Sequence, residues 1–379
     1  MNKKRVLIIT SNPLHNGPRL IREIDCLKEE FDIVAIGSSP PHDNTIEFID
    51  IREVSFTFTD RVIRKLFRTV FKRPYLGNLS GLQFRINRVL KDINPDVVIV
   101  HPPDYLPYLI NVSNKKYKVI FNAHEYHPLE FETNQKWLNN YGRLYKHIYN
   151  TCLRNIDLFI NVCESIAERC VIEYGKESVV IPNAATYAPN IKPTVVEGNH
   201  IRLIHHGAAI VEREIEIMIE AVLQLPSNYS LDLMLLPSDK GYYDKLTRQY
   251  GHLKQIRFIE PVAFGEIIPF INRYDIGIFN LPEHNYNYAV ALPNKLFEYI
   301  QARLCIVVSP SVEMKRIVET YKLGYVSKGF TLQEFAQTIK NISTAEIYAC
   351  KEHSDNFAFE LSDNQYQALY LRKVKELFL

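Results

Sequence analysis

The sequence has no large excess of either charge: 45 Lys and Arg against 43 Asp and Glu leave a formal net charge of +2 over 379 residues. A bulk nucleic-acid binder would carry a strong basic excess, so any electrostatic partner has to be met locally. Cysteine is scarce and unpatterned. Cys26, Cys152, Cys163, Cys170, Cys305 and Cys350 form no CxxC pair and no metal-ligand spacing, which reads as reduced, mostly buried thiols of a cytosolic protein. No apolar run approaches the roughly 18–20 residues of a membrane-spanning helix. Met1-Asn-Lys-Lys-Arg5 passes directly into Val6-Leu-Ile-Ile-Thr10 without a signal-peptide pattern. The expectation is a cytoplasmic protein without a transmembrane segment. There is also no GxGxxG fingerprint and no Walker loop, so a phosphate site has to be built in another way.

What the sequence does hold is alternation. Apolar, β-branched runs at Arg5–Thr10, Asp32–Ile36, Asp96–Val100, Lys118–Asn122, Asp157–Val162 and Val179–Ile181 alternate with helical stretches such as Pro18–Glu30, Leu79–Ile93 and Trp137–Asn155. Continuous Val, Ile, Leu and Phe suit parallel strands covered on both faces. The pattern restarts at Ile201–His206, followed by a helix over Val211–Gln224 and strands at Leu231–Leu236, Ile256–Ile259, Asp275–Phe279 and Leu304–Ser309. This predicts two α/β, Rossmann-like doubly wound domains, 1–187 and 201–361, joined by a Pro- and Gly-containing linker at 188–200. The tail, 362–379, reads as an amphipathic helix opened by a capping box of Ser362 and Gln365, with the first domain as the surface for its apolar stripe.

The most informative stretch is Ala291-Leu-Pro-Asn-Lys-Leu-Phe-Glu-Tyr-Ile300. Pro293 suits the first position of a helix, and Asn294, Lys295 and Glu298 then share neighbouring rows of one face. A lysine in a first turn opposes the helix dipole at a cost of roughly 0.3–1 kcal/mol. A phosphate at that helix N-terminus would offset it, and Glu298 one turn on would face a hydroxyl-bearing group. The alternative is an ordinary surface Lys–Glu pair.

Three loops at strand carboxyl ends are further candidates, because open α/β sheets bind ligands there. Gly17-Pro18 in the loop after the first strand would let backbone approach a ligand, or is a plain strand-to-helix turn. Asn122-Ala-His-Glu-Tyr-His-Pro128 offers His124 and Glu125 as donor, base or charge stabiliser; a metal on His124 and His127 lacks a third ligand, and a self-satisfied polar loop is the other reading. Gly207 ends the first strand of the second domain, and Arg213 at the start of its helix suits a diphosphate through its guanidinium fork, or pairs with Glu212, Glu214 or Glu216.

A different signal lies in Asp60–Arg73. Val62, Ile63, Leu66, Phe67, Val70 and Phe71 share one helical face, with Arg61, Arg64, Lys65, Arg68, Lys72 and Arg73 around the other. That pattern fits a helix lying on an anionic membrane surface or a core-facing helix with a solvated basic side.

The two α/β domains, the His124-Glu125 loop, Ile181-Pro-Asn183, the Gly207 to Arg213 turn and Leu292-Pro-Asn-Lys-Leu-Phe-Glu-Tyr299 together resemble GT-B glycosyltransferases. The nearest resemblance is to the retaining, nucleotide-sugar-dependent family 4 type that builds bacterial polysaccharides and glycolipids. It implies two domains facing across a cleft, with the terminal helix crossing back to the first. The donor's nucleotide diphosphate would sit on the second domain and the glycan or lipid-linked acceptor on the first. By the same resemblance Glu298 holds the donor ribose, Arg213 and Lys295 meet the diphosphate, His124 stands near the transferred sugar, and Gly17 approaches phosphates and sugar. The implied reaction is a metal-independent, hexosyl-type transfer to a hydroxyl in capsule- or lipopolysaccharide-type biosynthesis. No cofactor beyond the nucleotide sugar and no nucleic-acid partner is expected, and the location is cytoplasmic with peripheral membrane contact. Two positions depart from the family pattern: Val290 replaces a carboxylate eight residues before Glu298, and Ala208 an arginine after Gly207. A nucleotide-sugar epimerase and a non-catalytic subunit of a polysaccharide assembly complex are the alternatives.

Overall fold

The computed structural model describes residues 3–15, 17–69, 81–110, 112 and 114–379. Among the described residues thirteen strands alternate with helices. In the first half these are β1 (Lys4–Ile9), β2 (Phe31–Gly37), β3 (Glu47–Asp50), β4 (Val97–Val100), β5 (Lys118–Asn122), β6 (Leu158–Asn161) and β7 (Val179–Val180). The second half holds β8 (Ile201–Ala208), β9 (Tyr229–Leu236), β10 (Ile256–Ile259), β11 (Ile276–Phe279), β12 (Cys305–Val308) and β13 (Gly324–Val326). They form two wholly parallel sheets, ordered 3-2-1-4-5-6-7 and 10-9-8-11-12-13. Both are Rossmann-like, because each winds outward from its first strand in two directions and leaves a switch point, β1/β4 in one and β8/β11 in the other.

The inner strands explain the stability of this arrangement. Val97–Val100 and Cys305–Val308 are buried along their whole length, so parallel hydrogen bonding and apolar burial coincide. The expected strands are all present within a residue or two of their ends. The edge strands β3 and β13 were not expected from the sequence: Glu47-Phe-Ile-Asp50 and Gly324-Tyr-Val326 are too short and too polar to show an apolar run.

Contacts divide the chain into one unit of Met1–Ile181 with Gln367–Leu379, and a second of Pro182–Tyr366. The 188–200 segment, expected as a linker, belongs to the second unit. Gln301 Oε1 accepts from Ala188 N–H at 3.0 Å, buried Arg303 donates to Ala188 O at 3.0 Å, and buried Lys351 Nζ donates to Thr194 Oγ1 at 2.7 Å. At the start of the last helix, Asp363–Glu376, the Ser362 hydroxyl donates to Phe359 O at 2.6 Å. Its later residues sit within the first unit through Tyr370 OH on Glu23 Oε1 at 2.7 Å and Lys375 on Glu30 at 2.8 Å. Among the described residues no helix is long and apolar enough to cross a membrane.

Candidate functional site

In the second unit, helix Asn294–Gln301 points its N-terminus at the β8/β11 switch point. Pro293 is its N-cap, with ψ 151, so the helix starts one residue later than the sequence suggested. The helix is fixed by Tyr299, whose hydroxyl donates to Ile278 O at 3.1 Å. Gly277 on β11 makes room for that ring, since a Cβ there would come within 2.6 Å of it. This close packing sets where Lys295 and Glu298 stand.

Lys295 is buried, and its Nζ has no hydrogen-bond partner. The ammonium lies 3.9 Å from the centroid of the Phe279 ring. Burial first and the Arg213 charge second drive its pKa well below the usual lysine value, against the pull of the Glu298 carboxylate. An uncompensated buried cation costs several kcal/mol unless an anion joins it. Lys351, buried in the same unit, shows the structural solution: it donates to Tyr274 O at 3.0 Å and Thr194 Oγ1 at 2.7 Å and lies 3.6 Å from Asp275. Lys295 has no such hydrogen bonds and only the electrostatic pull of buried Glu298, so the pair with Glu298 is buried and not the ordinary surface Lys–Glu alternative.

Around Lys295 the backbone opens. Gly207 has φ +120, a conformation L side chains avoid, and a Cβ there would lie 3.3 Å from Lys295 Nζ and 3.7 Å from Arg213 Nη1. Arg213 is not in the first turn of the α-helix. It ends a 3-10 turn, Val211–Arg213, and Glu214 at φ 44 intervenes before helix Ile215–Leu223. The dipole argument for Arg213 therefore lapses, but its placement does not. Its guanidinium donates to Ala208 O at 3.1 Å, while Glu214 pairs with His284 at 2.7 Å and Glu216 with Lys245 at 3.1 Å. Two of the three expected acidic neighbours, Glu214 and Glu216, are thus engaged elsewhere.

Glu298 is buried, 3.4 Å from His206 Nε2. Burial and then Lys295 pull His206 down to about 3, so its ring is neutral at pH 7. His205, His206 and Phe279 were not singled out from the sequence; only the doubled histidine just before Gly207 hinted at them. Asn294 is half-buried in the first turn.

The first unit gathers a second group at the carboxyl ends of β1, β4 and β5. Gly17 is the N-cap of helix Pro18–Leu27, which carries Arg19 and Glu23. His124 Nε2 lies 2.8 Å from His101 Nδ1, and His101 Nε2 lies 2.8 Å from Glu23 Oε2. Burial, then Arg19 and His101, holds His124 well below the ordinary histidine range. Glu125 is pushed up to about 8 by burial and by Glu130 beside it, so it keeps its proton at neutral pH and is a poor resting base. His127 turns inward, its Nδ1 2.9 Å from Tyr149 OH. Among the described residues no three His, Cys, Asp or Glu side chains are placed to hold a metal ion.

The basic helix, Phe58–Thr69, is only partly as expected. Arg64 is not surface-facing: its Nη2 is 2.7 Å from Asp104, the side chain is 16% exposed, and the guanidinium lies over Phe56. The Asp104 carboxylate offsets the burial of that charge. Arg61 and Lys65 are exposed, whereas Lys72, Arg73 and the side chain of Arg68 lie outside the described residues. Of the described apolar residues, Phe58 is 81%, Val62 48%, Ile63 39% and Leu66 49% exposed, while Phe67 is half-buried; Val70 and Phe71 lie outside the described residues.

With this geometry in place, comparison with known proteins adds the following. Residues 19–186 match the family model described as Glycosyltransferase Family 4. A search of curated proteins by sequence gives no match. Among solved structures, HepE from Anabaena in complex with UDP superposes with a TM-score of 0.71 at 13% identity, covering 98% of this chain and 100% of that one. A glycosyltransferase from Rickettsia africae gives 0.73 at 14% identity, covering 100% of this chain and 99% of the other. Sucrose-phosphate synthase from Thermosynechococcus elongatus gives 0.74 at 12%, covering 99% of each. Identities this low establish the fold.

Proposed function

We propose that this chain, which has the fold of GT-B glycosyltransferases and matches the Glycosyltransferase Family 4 model over residues 19–186, moves a hexose-type unit from a nucleotide diphosphate sugar to a hydroxyl of a glycan or lipid-linked acceptor in surface polysaccharide biosynthesis. The observation that carries this reading is Lys295, buried and unpartnered beside the Cβ-free backbone of Gly207, near Arg213, at a helix N-terminus. A structural neighbour supports it by kind: HepE has been crystallised in complex with UDP-glucose.

In this reading the donor diphosphate lies against Gly207 and the first turn at Asn294. Lys295 and Arg213 stabilise the charge that develops on the departing phosphate, so the leaving group is met without a metal. Glu298 accepts from the donor ribose. The acceptor is taken by the first unit, near Gly17 and His124. In a retaining transfer the leaving phosphate accepts the acceptor's proton, which agrees with Glu125 keeping its own at pH 7.

Peripheral membrane contact is part of the proposal. The exposed Phe58, Val62 and Leu66 stripe, flanked by exposed Arg61 and Lys65, fits an anionic lipid surface where apolar side chains enter and cations pair with headgroups.

The test is thermal stabilisation of the purified protein across UDP, GDP, ADP, CMP and their sugar conjugates, because a ligand bound only by the folded state raises Tm. A shift with one diphosphate, followed by transfer that requires an acceptor, supports the proposal. Turnover of the nucleotide sugar to an isomer without acceptor would make it an epimerase. No shift with any nucleotide would move the assignment to a non-catalytic subunit.

A further inference from the structure

Behind His124 runs a buried chain of hydrogen bonds whose direction is set at its far end. Arg19 has only donors to offer. Its Nη2 donates to Asn122 Oδ1 at 2.5 Å, so the Asn122 amide must present its Nδ2 donor to Glu23 Oε1, 2.8 Å away. Tyr370 OH donates to the same Oε1 at 2.7 Å. With one oxygen taken by two donors, Glu23 accepts through Oε2 from His101 Nε2–H at 2.8 Å. In the neutral ring His101 Nδ1 is then bare and accepts from His124 Nε2–H at 2.8 Å. The ring of His124 is left with an unprotonated Nδ1.

The frame is rigid. Glu23 and His101 are buried, His101 directly follows β4 with its N–H on Ile9 O at 3.1 Å, and Ala123 before His124 is held to Ile160 O at 3.0 Å. A buried carboxylate and imidazole in line cost stability unless each proton is placed. His124 itself is half-buried and ends the chain at the carboxyl end of β5.

We propose that Glu23 and His101 are positioning residues that hold His124 in the Nε2–H tautomer, so that His124 Nδ1 accepts a hydrogen bond from a hydroxyl of the bound sugar or acceptor. The choice of a hydroxyl as ligand group rests on the glycosyltransferase reading; the tautomer does not. The chain also balances as a proton store. If a ligand hydroxyl gives its proton to His124 Nδ1, the Nε2 proton passes to His101 Nδ1, and the charge ends as a His101 imidazolium against the Glu23 carboxylate. Arg19, His127 and, behind Tyr370, Cys26 are the other titratable groups that act on this chain.

The experiment is ring 15N NMR of the full chain with labelled histidine, its 12 histidines resolved by the His124→Asn and His101→Asn variants. The expected spectrum shows His124 at neutral pH protonated on Nε2 and bare on Nδ1. In Glu23→Gln the new amide oxygen must serve Asn122 Nδ2 and Tyr370 OH, which turns the amide N–H toward His101 and reverses both rings, giving His124 Nδ1–H. A wild-type His124 that is Nδ1-protonated or doubly protonated overturns the proposal without need of any variant, as does a folded Glu23→Gln protein with the tautomer unchanged. Where a donor and acceptor pair is known, Glu23→Gln should lower turnover about tenfold, the loss of one hydrogen bond, with nucleotide affinity unchanged. Failure of the glycosyltransferase reading looks different: no nucleotide binds, and the tautomer pattern stands.

Discussion

Lys295 holds its ammonium 3.9 Å from the centre of the Phe279 ring and has no hydrogen-bond partner. The ring face attracts the cation, but such a contact contributes only about 0.5–2 kcal/mol, too little to offset its burial. The site is therefore strained toward an anion in its ligand-free form.

Replacing Lys295 with Met should act in opposite directions on stability and binding. Without ligand the variant is expected to be more stable, by about 1–3 kcal/mol, because a buried charge without hydrogen bonds is removed and the lost attraction to Glu298 opposes this only in part. Nucleoside diphosphate affinity is expected to fall roughly 10–100-fold. Denaturant unfolding and titration calorimetry measure the two; a parallel loss of both would assign Lys295 a structural role.

The same burial predicts proton uptake on binding. The folded pKa of Lys295 lies well below its usual value, so between the two values the unfolded chain binds more protons and ligand-free stability rises with pH. A bound diphosphate restores the charge. Calorimetry at about pH 8–9 in two buffers of different ionisation heat should therefore show protons taken up on binding, and affinity should weaken at higher pH.

Gly207→Ala should lose nucleotide binding with a moderate loss of stability, about 1–2 kcal/mol. The backbone at φ +120 resists a side chain, and the new Cβ would stand 3.3 Å from Lys295 Nζ. Wild-type affinity in a folded Gly207→Ala protein would exclude ligand from this loop.

Glu125, raised to about 8, carries its proton in the folded state while the unfolded chain has lost it. Between about pH 4.5 and 8 the folded state binds more protons, so this group makes stability fall as pH rises. Glu125→Gln should flatten that slope and add about 1–3 kcal/mol near pH 8, read from urea unfolding at several pH values.

Two arginines of the basic helix should separate cleanly. Arg64→Ala leaves the half-buried Asp104 carboxylate without its counter-charge and with the Tyr145 hydroxyl as a hydrogen-bond donor and should cost about 2–4 kcal/mol. Arg61→Ala and Phe58→Ser, both on exposed positions, should change stability by less than about 0.5 kcal/mol yet weaken binding to anionic vesicles. Equal binding to neutral vesicles would count against the lipid proposal.

The sequence by itself determined the two doubly wound sheets, because a parallel strand covered on both faces must be continuously apolar, and Val97–Val100 or Cys305–Val308 has no other place to go. It also marked Lys295 and Gly207, since a cation in a first turn and a glycine after a strand each break a local preference. Edge strands β3 and β13 escaped it because their burial is partial and their pairing is supplied by a neighbour. Only the tertiary structure could show that Arg64 turns inward to an aspartate forty residues away, that Arg213 precedes its helix, and that Glu23, His101 and Tyr370 meet behind His124. Those relations join elements distant in the chain, and local periodicity carries no information about which side chains a fold brings within 3 Å of each other.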